Sequence, residues 1–427
     1  MTGEEEVFKR KVVPQRDTLW LSGADAINLV FGIIIHVVLT RALLSDDYGI
    51  FVLLLDFFHV CVILVDLGLP TLIARDGGRL GSKLSSLTSR IVSFQFPLMV
   101  MIALLGAYVG VMLFGGWLVP AFLLAIAAGV QVVTYSLRAG MRSLGEARWE
   151  AIVRVVDRGV VALLMISWAN GTVEQFAQAT LFGPIIALAI TVLVWLRKIK
   201  PRLQEPTQPL PEINDMGMKE LVNTGLPFLF ASAALVINVR IEKLLLGILA
   251  TPEDVAVFQI AWLGFIAGYG PILSLRAVLL SWFGEVRDDL EKLTHRYKRA
   301  IFACGILGPI GAGIGMAIGP FALDTLFPHY ANVVTKPFLV FLLAWLFHAM
   351  ASPSLSLIQV SEKPWNYTRI LWVGIAVSIV ASIYLIPSQP SAVVGATIAA
   401  AFASLIVFAL AFIGAGIEKS EAEPLAE

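Results

Sequence analysis

The sequence predicts an all-α polytopic membrane protein, with about 12 transmembrane helices in two six-helix lobes around a central polar cavity. Three observations predict it. Hydrophobic residues make up 58% of the 427 positions and charged residues only 15%, with a mean hydropathy of +0.83, whereas about a quarter of a soluble domain is charged. Twelve apolar runs are each long enough to cross a hydrocarbon core, which takes roughly 20 helical residues. The ionisable groups inside those runs are concentrated in the first two runs of each half.

The first six runs lie at about 18–41, 48–74, 91–114, 117–137, 150–168 and 174–196. The second six lie at about 219–248, 255–282, 300–322, 331–358, 367–386 and 391–415. The chain therefore divides into an N-terminal segment (1–17), an N-terminal lobe (18–196), a linker (197–218), a C-terminal lobe (219–415) and a tail (416–427). The polar opening MTGEEEVFKRKVVPQRD has no cleavage signature of a secretory leader.

Basic residues give the orientation. Lys9, Arg10 and Lys11 precede the first run; Arg75, Arg79, Lys83 and Arg90 follow the second; Arg138, Arg142 and Arg148 follow the fourth. Arg197, Lys198, Lys200 and Arg202 fill the linker, and Arg287, Lys292, Arg296, Lys298, Arg299, Lys363 and Arg369 mark the later loops on the same side. By the positive-inside rule both termini are cytoplasmic and the protein is a multi-pass protein of the cytoplasmic (inner) membrane. Leu80, Leu84 and Leu87 in one of these loops, and Val286, Leu290, Leu293 and Tyr297 in another, have the periodicity of short amphipathic connecting helices.

A duplication relates the halves. Asp47 falls opposite Asp254, Phe51 opposite Phe258, and Leu87-Thr88-Ser89-Arg90 opposite Leu293-Thr294-His295-Arg296. Repeated halves with a binding site at their interface are a recurrent transporter plan. In the ninth run Gly305, Gly308, Gly311, Gly315 and Gly319 give the small-residue spacing of close helix packing.

The apolar runs contain Asp25 and His36 in the first, Asp56, His59 and Asp66 in the second, Arg240, Glu242 and Lys243 in the seventh, and Arg276 in the eighth. Each strong charge costs roughly 2.5–3.5 kcal/mol at the bilayer centre, so these groups face one another or a hydrated interior. At 100° per residue Asp25 and His36 fall within about 20° of one helix face, as do His59 and Asp66. Arg154, Asp157 and Arg158, near one end of the fifth run, are expected to form a surface ion-pair cluster. Cys61 and Cys304 sit in apolar runs without partners at ligand spacing, so neither a disulfide nor a metal site is expected. No phosphate-binding glycine loop and no long polar loop with catalytic groups occurs, which argues against an ATP-driven motor or an enzyme. The even charge balance gives no sign of a nucleic-acid partner.

The segments TRALLSDDYGIFVLLLDFF with VDLGLPTLIAR, NTGLPFLFASAALVINVRIEKLLLG, LFPHYANVVTKPFLVFLLAW, and YLIP followed by VVGATIAAAFAS resemble the polysaccharide-exporter, or O-antigen-type, flippases. These belong to the multidrug/oligosaccharidyl-lipid/polysaccharide exporter superfamily. The resemblance implies a flippase that moves a lipid-linked oligosaccharide on a polyprenyl pyrophosphate carrier to the outer leaflet, by alternating access, for surface polysaccharide biosynthesis. Its implied partners are that cargo, membrane lipids and the polymerase or glycosyltransferase machinery. No cofactor is implied beyond coupling to protons or sodium. The chain departs from the pattern at Arg240-Ile241-Glu242-Lys243, where many relatives carry a lone acidic residue, and at Ser388-Gln389-Pro390-Ser391, where they have a Tyr-Gly turn. Cargo and coupling ion are left open by these departures.

A pyrophosphate headgroup needs cations, and a guanidinium fork pairs two phosphate oxygens at once. The substrate-binding candidates are Arg276 toward the cytoplasmic side, Arg240, Lys243, Arg41 and His36 toward the outer side, and His59. Asp25 and Asp66 are candidates for ion coupling, with Asp56 and Glu242 as further cavity acids. Two other readings stand beside this one: a multidrug or cation antiporter of the same superfamily, which would favour a more acidic cavity, and a non-transport membrane protein of glycan assembly.

Overall fold

A computed structural model describes residues 14–114, 117–203, 213, 215–287, 289–360 and 365–422. Lys9, Arg10, Lys11 and Lys363, most of the linker and the end of the tail lie outside the described residues. Helices follow one another throughout: α1 (Pro14–Ala42), α2 (Ser45–Cys61), α3 (Ile63–Asp66), α4 (Leu69–Asp76), α5 (Lys83–Phe114), α6 (Leu118–Ser143), α7 (Ala147–Ser167) and α8 (Val173–Val194). The second half adds α9 (Met218–Asn238), α10 (Ile241–Leu249), α11 (Pro252–Gly284), α12 (Leu290–Leu326), α13 (Ala331–Val360), α14 (Trp365–Ser388) and α15 (Ala392–Ala422). Among the described residues there is no strand.

Side chains close several helix ends. Thr172 and Gln175 form a reciprocal capping box at α8, the Gly217 N–H donates to Glu220 at 2.9 Å at α9, and the Lys292 N–H donates to Asp289 at 3.0 Å at α12.

Among the described residues eleven helical segments are long and apolar enough to cross a membrane. Of the twelve apolar runs, only the fifth is missing from them. That run is α7, whose 21 residues include Glu150, Arg154, Asp157 and Arg158, and it packs against α1 and α8, two helices that do qualify. The expected short connecting helices do not stand apart. Leu84 and Leu87 belong to the first turns of α5, and Leu290, Leu293 and Tyr297 to those of α12. Leu80, Leu84 and Leu87 are buried against Leu69, Leu72 and Ile73, so their periodicity reflects protein packing.

Two runs are broken. Between α3 and α4 the chain turns through Leu67 and Gly68 at φ of 52° and 71°, and Pro70 enters the first turn of α4. The Asp66 carboxylate accepts the Gly68 N–H at 3.1 Å. Glycine is required at position 68 twice over: its φ is left-handed, and a Cβ there would lie 2.2 Å from the Gly225 carbonyl oxygen of α9. The second break separates α9 from α10 at Val239 and Arg240.

The packing repeats with the sequence. α5 on α6, α6 on α8, α7 on α8 and α2 on α6 correspond to α12 on α13, α13 on α15, α14 on α15 and α11 on α13. Likewise α1 on α7 corresponds to α9 and α10 on α14. The breaks do not repeat. α1 is continuous while its counterpart is split into α9 and α10, and α2–α4 are split while their counterpart α11 runs unbroken for 33 residues. Across the halves, α2 packs on α11 and α10, α3 and α4 on α9, and α1 on α11.

Apolar side chains also point outward, as a lipid-facing surface requires: Phe302, Leu307, Ile310 and Phe321 of α12 are all exposed. The opposite face of α12 is a groove of small residues. Cβ atoms built at Gly311, Gly315 and Gly319 fall 2.4, 2.8 and 2.2 Å from Trp345, Leu342 and Phe338 of α13, whereas one at Gly305 meets nothing within 4 Å. Gly319→Ala is therefore expected to lower the melting temperature of the detergent-purified protein, since overpacking costs ~1–3 kcal/mol, and Gly305→Ala to leave it unchanged or slightly raised. Equal melting temperatures for the two variants would contradict the groove.

Candidate functional site

A buried carboxylate organises the contact between the halves. Asp56, three turns into α2, meets two cations delivered by the break in the seventh run. Arg240 Nε lies 3.1 Å from Asp56 Oδ1, and the Lys243 ammonium is in direct contact with Oδ2. Arg240 precedes α10 and Lys243 occupies its first turn, three positions apart and on the same side of the chain as the carboxylate. Lys243 is 2% exposed, a depth at which an unpaired ammonium would not be tolerated.

From Lys243 an ordered hydrogen-bond chain returns to α2. Lys243 donates to Gln259 Oε1 on α11 at 2.6 Å, which turns the amide nitrogen of Gln259 toward His36 Nε2 on α1 at 3.2 Å. His36 Nε2 must then accept, leaving Nδ1–H to donate to the Tyr48 hydroxyl on α2 at 2.9 Å. The Trp262 ring lies 4.2 Å from the Lys243 ammonium. Beside this chain Glu242 accepts from Ser378 on α14 at 2.6 Å.

Toward the start of α2 the halves come into backbone contact. A Cβ at Gly49 would lie 1.8 Å from the Pro252 carbonyl oxygen, and one at Gly247 would lie 2.5 Å from the Leu53 side chain. Ser45 and Tyr330 share a hydrogen bond of 3.0 Å at the same end. Phe51, Leu54, Val255, Phe258 and Phe341 fill one apolar core there.

The sequence-derived candidates separate into groups. Asp56, Arg240, Lys243 and His36 converge in this network. His59 donates from Nδ1 to the Leu55 carbonyl of its own helix at 2.6 Å. Arg276 lies 17 residues beyond Gln259 on α11, roughly 25 Å along the helix at 1.5 Å per residue, and donates to the Tyr367 hydroxyl of α14 at 3.0 Å. Arg41 is exposed in the last turn of α1, and the Asp66 carboxylate caps Gly68. Asp25 is largely exposed and pairs with Arg154 at 2.9 Å.

Arg154, Asp157 and Arg158 do not form the expected surface cluster. Asp157 is buried and Glu150, one turn before Arg154, is completely buried between Arg142 and Arg154. The periodicity was that of an ion-pair face, but the face points inward against α1 and α6. Sequence reading also passed over Gln259, Tyr48, Tyr367 and His348. The lone glutamine in VAVFQIAWL was the one visible signal; the others are ordinary members of apolar runs. Among the described residues no group of three or more His, Cys, Asp or Glu is placed to hold a metal.

The sequence matches a family model described as polysaccharide biosynthesis protein over residues 15–266. Solved structures match along nearly the whole chain. The inward-facing conformation of a multidrug resistance MATE family transporter of the MOP superfamily is 16% identical with a TM-score of 0.78, over 96% of this chain and 99% of that one. The outward-facing conformation of a multidrug resistance MATE family transporter is 15% identical with a TM-score of 0.60, over 96% and 97%. A MOP superfamily transporter from Pyrococcus furiosus, described as having a binding pocket of reverse polarity that suggests a different function, is 16% identical with a TM-score of 0.66, over 95% and 96%. These likenesses give the fold. Comparison with curated proteins gives no match.

The Asp56 network makes an asymmetric prediction. Asp56→Asn leaves the buried Lys243 and the half-buried Arg240 without their counter-ion and is expected to cost ~3–5 kcal/mol. Lys243→Met leaves Arg240 on Asp56 and should cost clearly less. Melting temperatures of the two purified variants decide it, and an equal or smaller loss for Asp56→Asn would contradict the pairing.

Proposed function

Because the chain belongs to the polysaccharide biosynthesis protein family and is a multi-pass membrane protein with a transporter fold, we propose that it is a flippase. Its cargo in this reading is an oligosaccharide linked to polyprenyl pyrophosphate, carried from the cytoplasmic to the outer leaflet of the cytoplasmic membrane. The observation that carries the reading is the charge of the interior. Two cations face one carboxylate at Asp56, and Arg276 is held by a tyrosine hydroxyl. With Glu242 beside the network, three cations stand against two acids, and the excess positive charge, that of Arg276, suits an anionic headgroup.

The two halves, residues 18–196 and 219–415, are the moving bodies in this proposal, and the closed end at Gly49 and Pro252 is the outer gate. Two features support that orientation: the basic residues at the other end of the helices, and a fold closer to the inward-facing than to the outward-facing relative. Arg276 receives the headgroup from the inner leaflet. Arg240 and Lys243 then take it by exchanging Asp56 for phosphate oxygens, which releases one half from the other and links cargo to opening. Arg41 and His36 lie along the exit, and His59 lies beside the Asp56 cluster. Of the acids proposed for proton or sodium coupling, Asp25 is the accessible one, while Asp66 is engaged by Gly68. The machinery that assembles and polymerises the glycan would supply and consume the cargo.

A second reading is favoured by one observation. Glu242 and His348 line a cavity with Trp262, Phe265 and Phe341, an acid among aromatic rings that would suit an organic cation, as expected of a multidrug antiporter.

Proteoliposomes containing a fluorescent polyprenyl-pyrophosphate oligosaccharide separate the two. Wild type is expected to flip it, and Arg276→Ala and Arg240→Ala to slow flipping by about tenfold or more, the equivalent of ~1.5–3 kcal/mol for a hydrogen bond to a charged group. Efflux of a drug cation without flipping would establish the antiporter. Flipping unaffected by either substitution would remove these arginines from the mechanism.

A further inference from the structure

A second polar cavity, of about 180 Å³, opens among α1, α6 and α7. It has room for several water molecules of ~30 Å³ each. Arg138, Arg154 and Arg158 line it with Asp157, Asn28 and Gln131. Arg154 is held in place by Glu150 at 2.8 Å and Asp25 at 2.9 Å, and Glu150 is itself held by Arg142. Arg138 and Arg158 have no ion pair among the described residues. Arg138 Nε, Asp157 Oδ1 and Asn28 Oδ1 are buried without hydrogen-bond partners, and Asp157 is 7% exposed.

Orphaned polar atoms of this kind need an explanation, and a ligand is one. The cavity sets its requirements. Two unpaired guanidiniums against one unpaired carboxylate leave an excess positive charge, so the ligand is an anion able to accept from planar forks. Asn28 Oδ1 is an acceptor and the Asp157 carboxylate lines the cavity near it, so the ligand must also donate. Inorganic phosphate can donate only from the one or two O–H groups of the same small tetrahedron, a neutral sugar offers hydroxyls without charge, and a metal cation would meet Arg138 and Arg158. An anionic phosphate beside sugar hydroxyls meets both demands. We infer that this cavity binds a glycosyl phosphate, with the phosphate between Arg138 and Arg158 and hydroxyls donating to Asp157 and Asn28.

The same chemistry occurs at the sugar–diphosphate junction of a lipid-linked oligosaccharide and in a free sugar phosphate. The first source rests on the flippase reading, and the second does not. On the first, Arg138 and Arg158 read the junction of the cargo while Arg276 handles entry, so the cavity is a specificity site on the first half of the chain.

Calorimetric titration of the full-length protein in lipid nanodiscs tests this, with glucose 1-phosphate and galactose 1-phosphate, inorganic phosphate and glucose as probes. One of the hexose phosphates is expected to bind about tenfold or more tightly than phosphate or glucose, in keeping with a charge-assisted contact added to hydroxyl contacts. Arg158→Gln should weaken it about tenfold, Arg158→Lys less, since it keeps the charge and loses the fork. Asp157→Asn should reduce the preference for hexose phosphate over phosphate. Displacement of the bound hexose phosphate by a short-chain prenyl-diphosphate-linked sugar assigns the lipid-linked source, and its absence the soluble one. Three results would overturn the inference: no hexose phosphate binding by wild type, equal binding of phosphate, or unchanged affinity in an Arg158→Gln protein that melts like wild type. Hexose phosphate binding without flipping in proteoliposomes would remove the flippase and leave the site; flipping without such binding would do the reverse.

Discussion

Burying the carboxylate at the centre of this protein depends on cations delivered from the other half of the chain. Asp56 lies in the second apolar run, and its cations, Arg240 and Lys243, lie in the seventh. Neither could stay ionised in an apolar interior alone, because desolvation of a single ion costs several kcal/mol. The contact between the halves is therefore a condition for inserting these residues at all. Three positions apart, Arg240 and Lys243 lie on one side of the chain just where α9 ends and α10 begins, and both reach the same carboxylate.

Around that contact the chain uses two kinds of close packing. Within each half, small residues admit large ones, as α12 does with Phe338, Leu342 and Trp345 of α13. This is expected where lipid surrounds the bundle and burial of apolar surface gives no advantage to helix association. Between the halves, backbone meets backbone: Gly49 against Pro252, and Gly68 against Gly225. The polar network lies between these two approaches, screened from the lipid by the apolar core around Phe51 and Phe258.

Much of the fold was legible in the sequence, because runs of apolar residues have a length set by the bilayer and because the repeat of Asp47, Phe51 and Leu87 two hundred residues later is a linear signal. The packing pairs recur in the order that repeat implies. The breaks were less legible. Gly68 and Pro70 mark one of them, but nothing in VINVRIEK distinguishes an interrupted helix from an intact one, and the cations beside the break meet Asp56, far away in sequence. The same limit applies to the site. Ionisable residues in apolar runs stand out one by one, so Asp56, Arg240, Lys243 and His36 could be named, but their mutual distances could not. Gln259 and Tyr48 became members of the network only through contacts that no spacing encodes. For Arg154, Asp157 and Arg158 the helical face was read correctly and its direction was not, since an ion-pair face looks alike in sequence whether it meets water or an inward cavity.

The uneven placement of the helix breaks has a mechanical consequence. The unbroken α11 packs on both α1 and α2, whereas α3 and α4, beyond the bends of the second run, pack on α9. A contact made of short pieces can bend at Gly68 and Arg240, whereas α1 and α11, of 29 and 33 residues, carry no break. Such a molecule would give way first at its jointed end, like a ruler hinged near one tip, while the end held by α1, α2 and α11 keeps its shape.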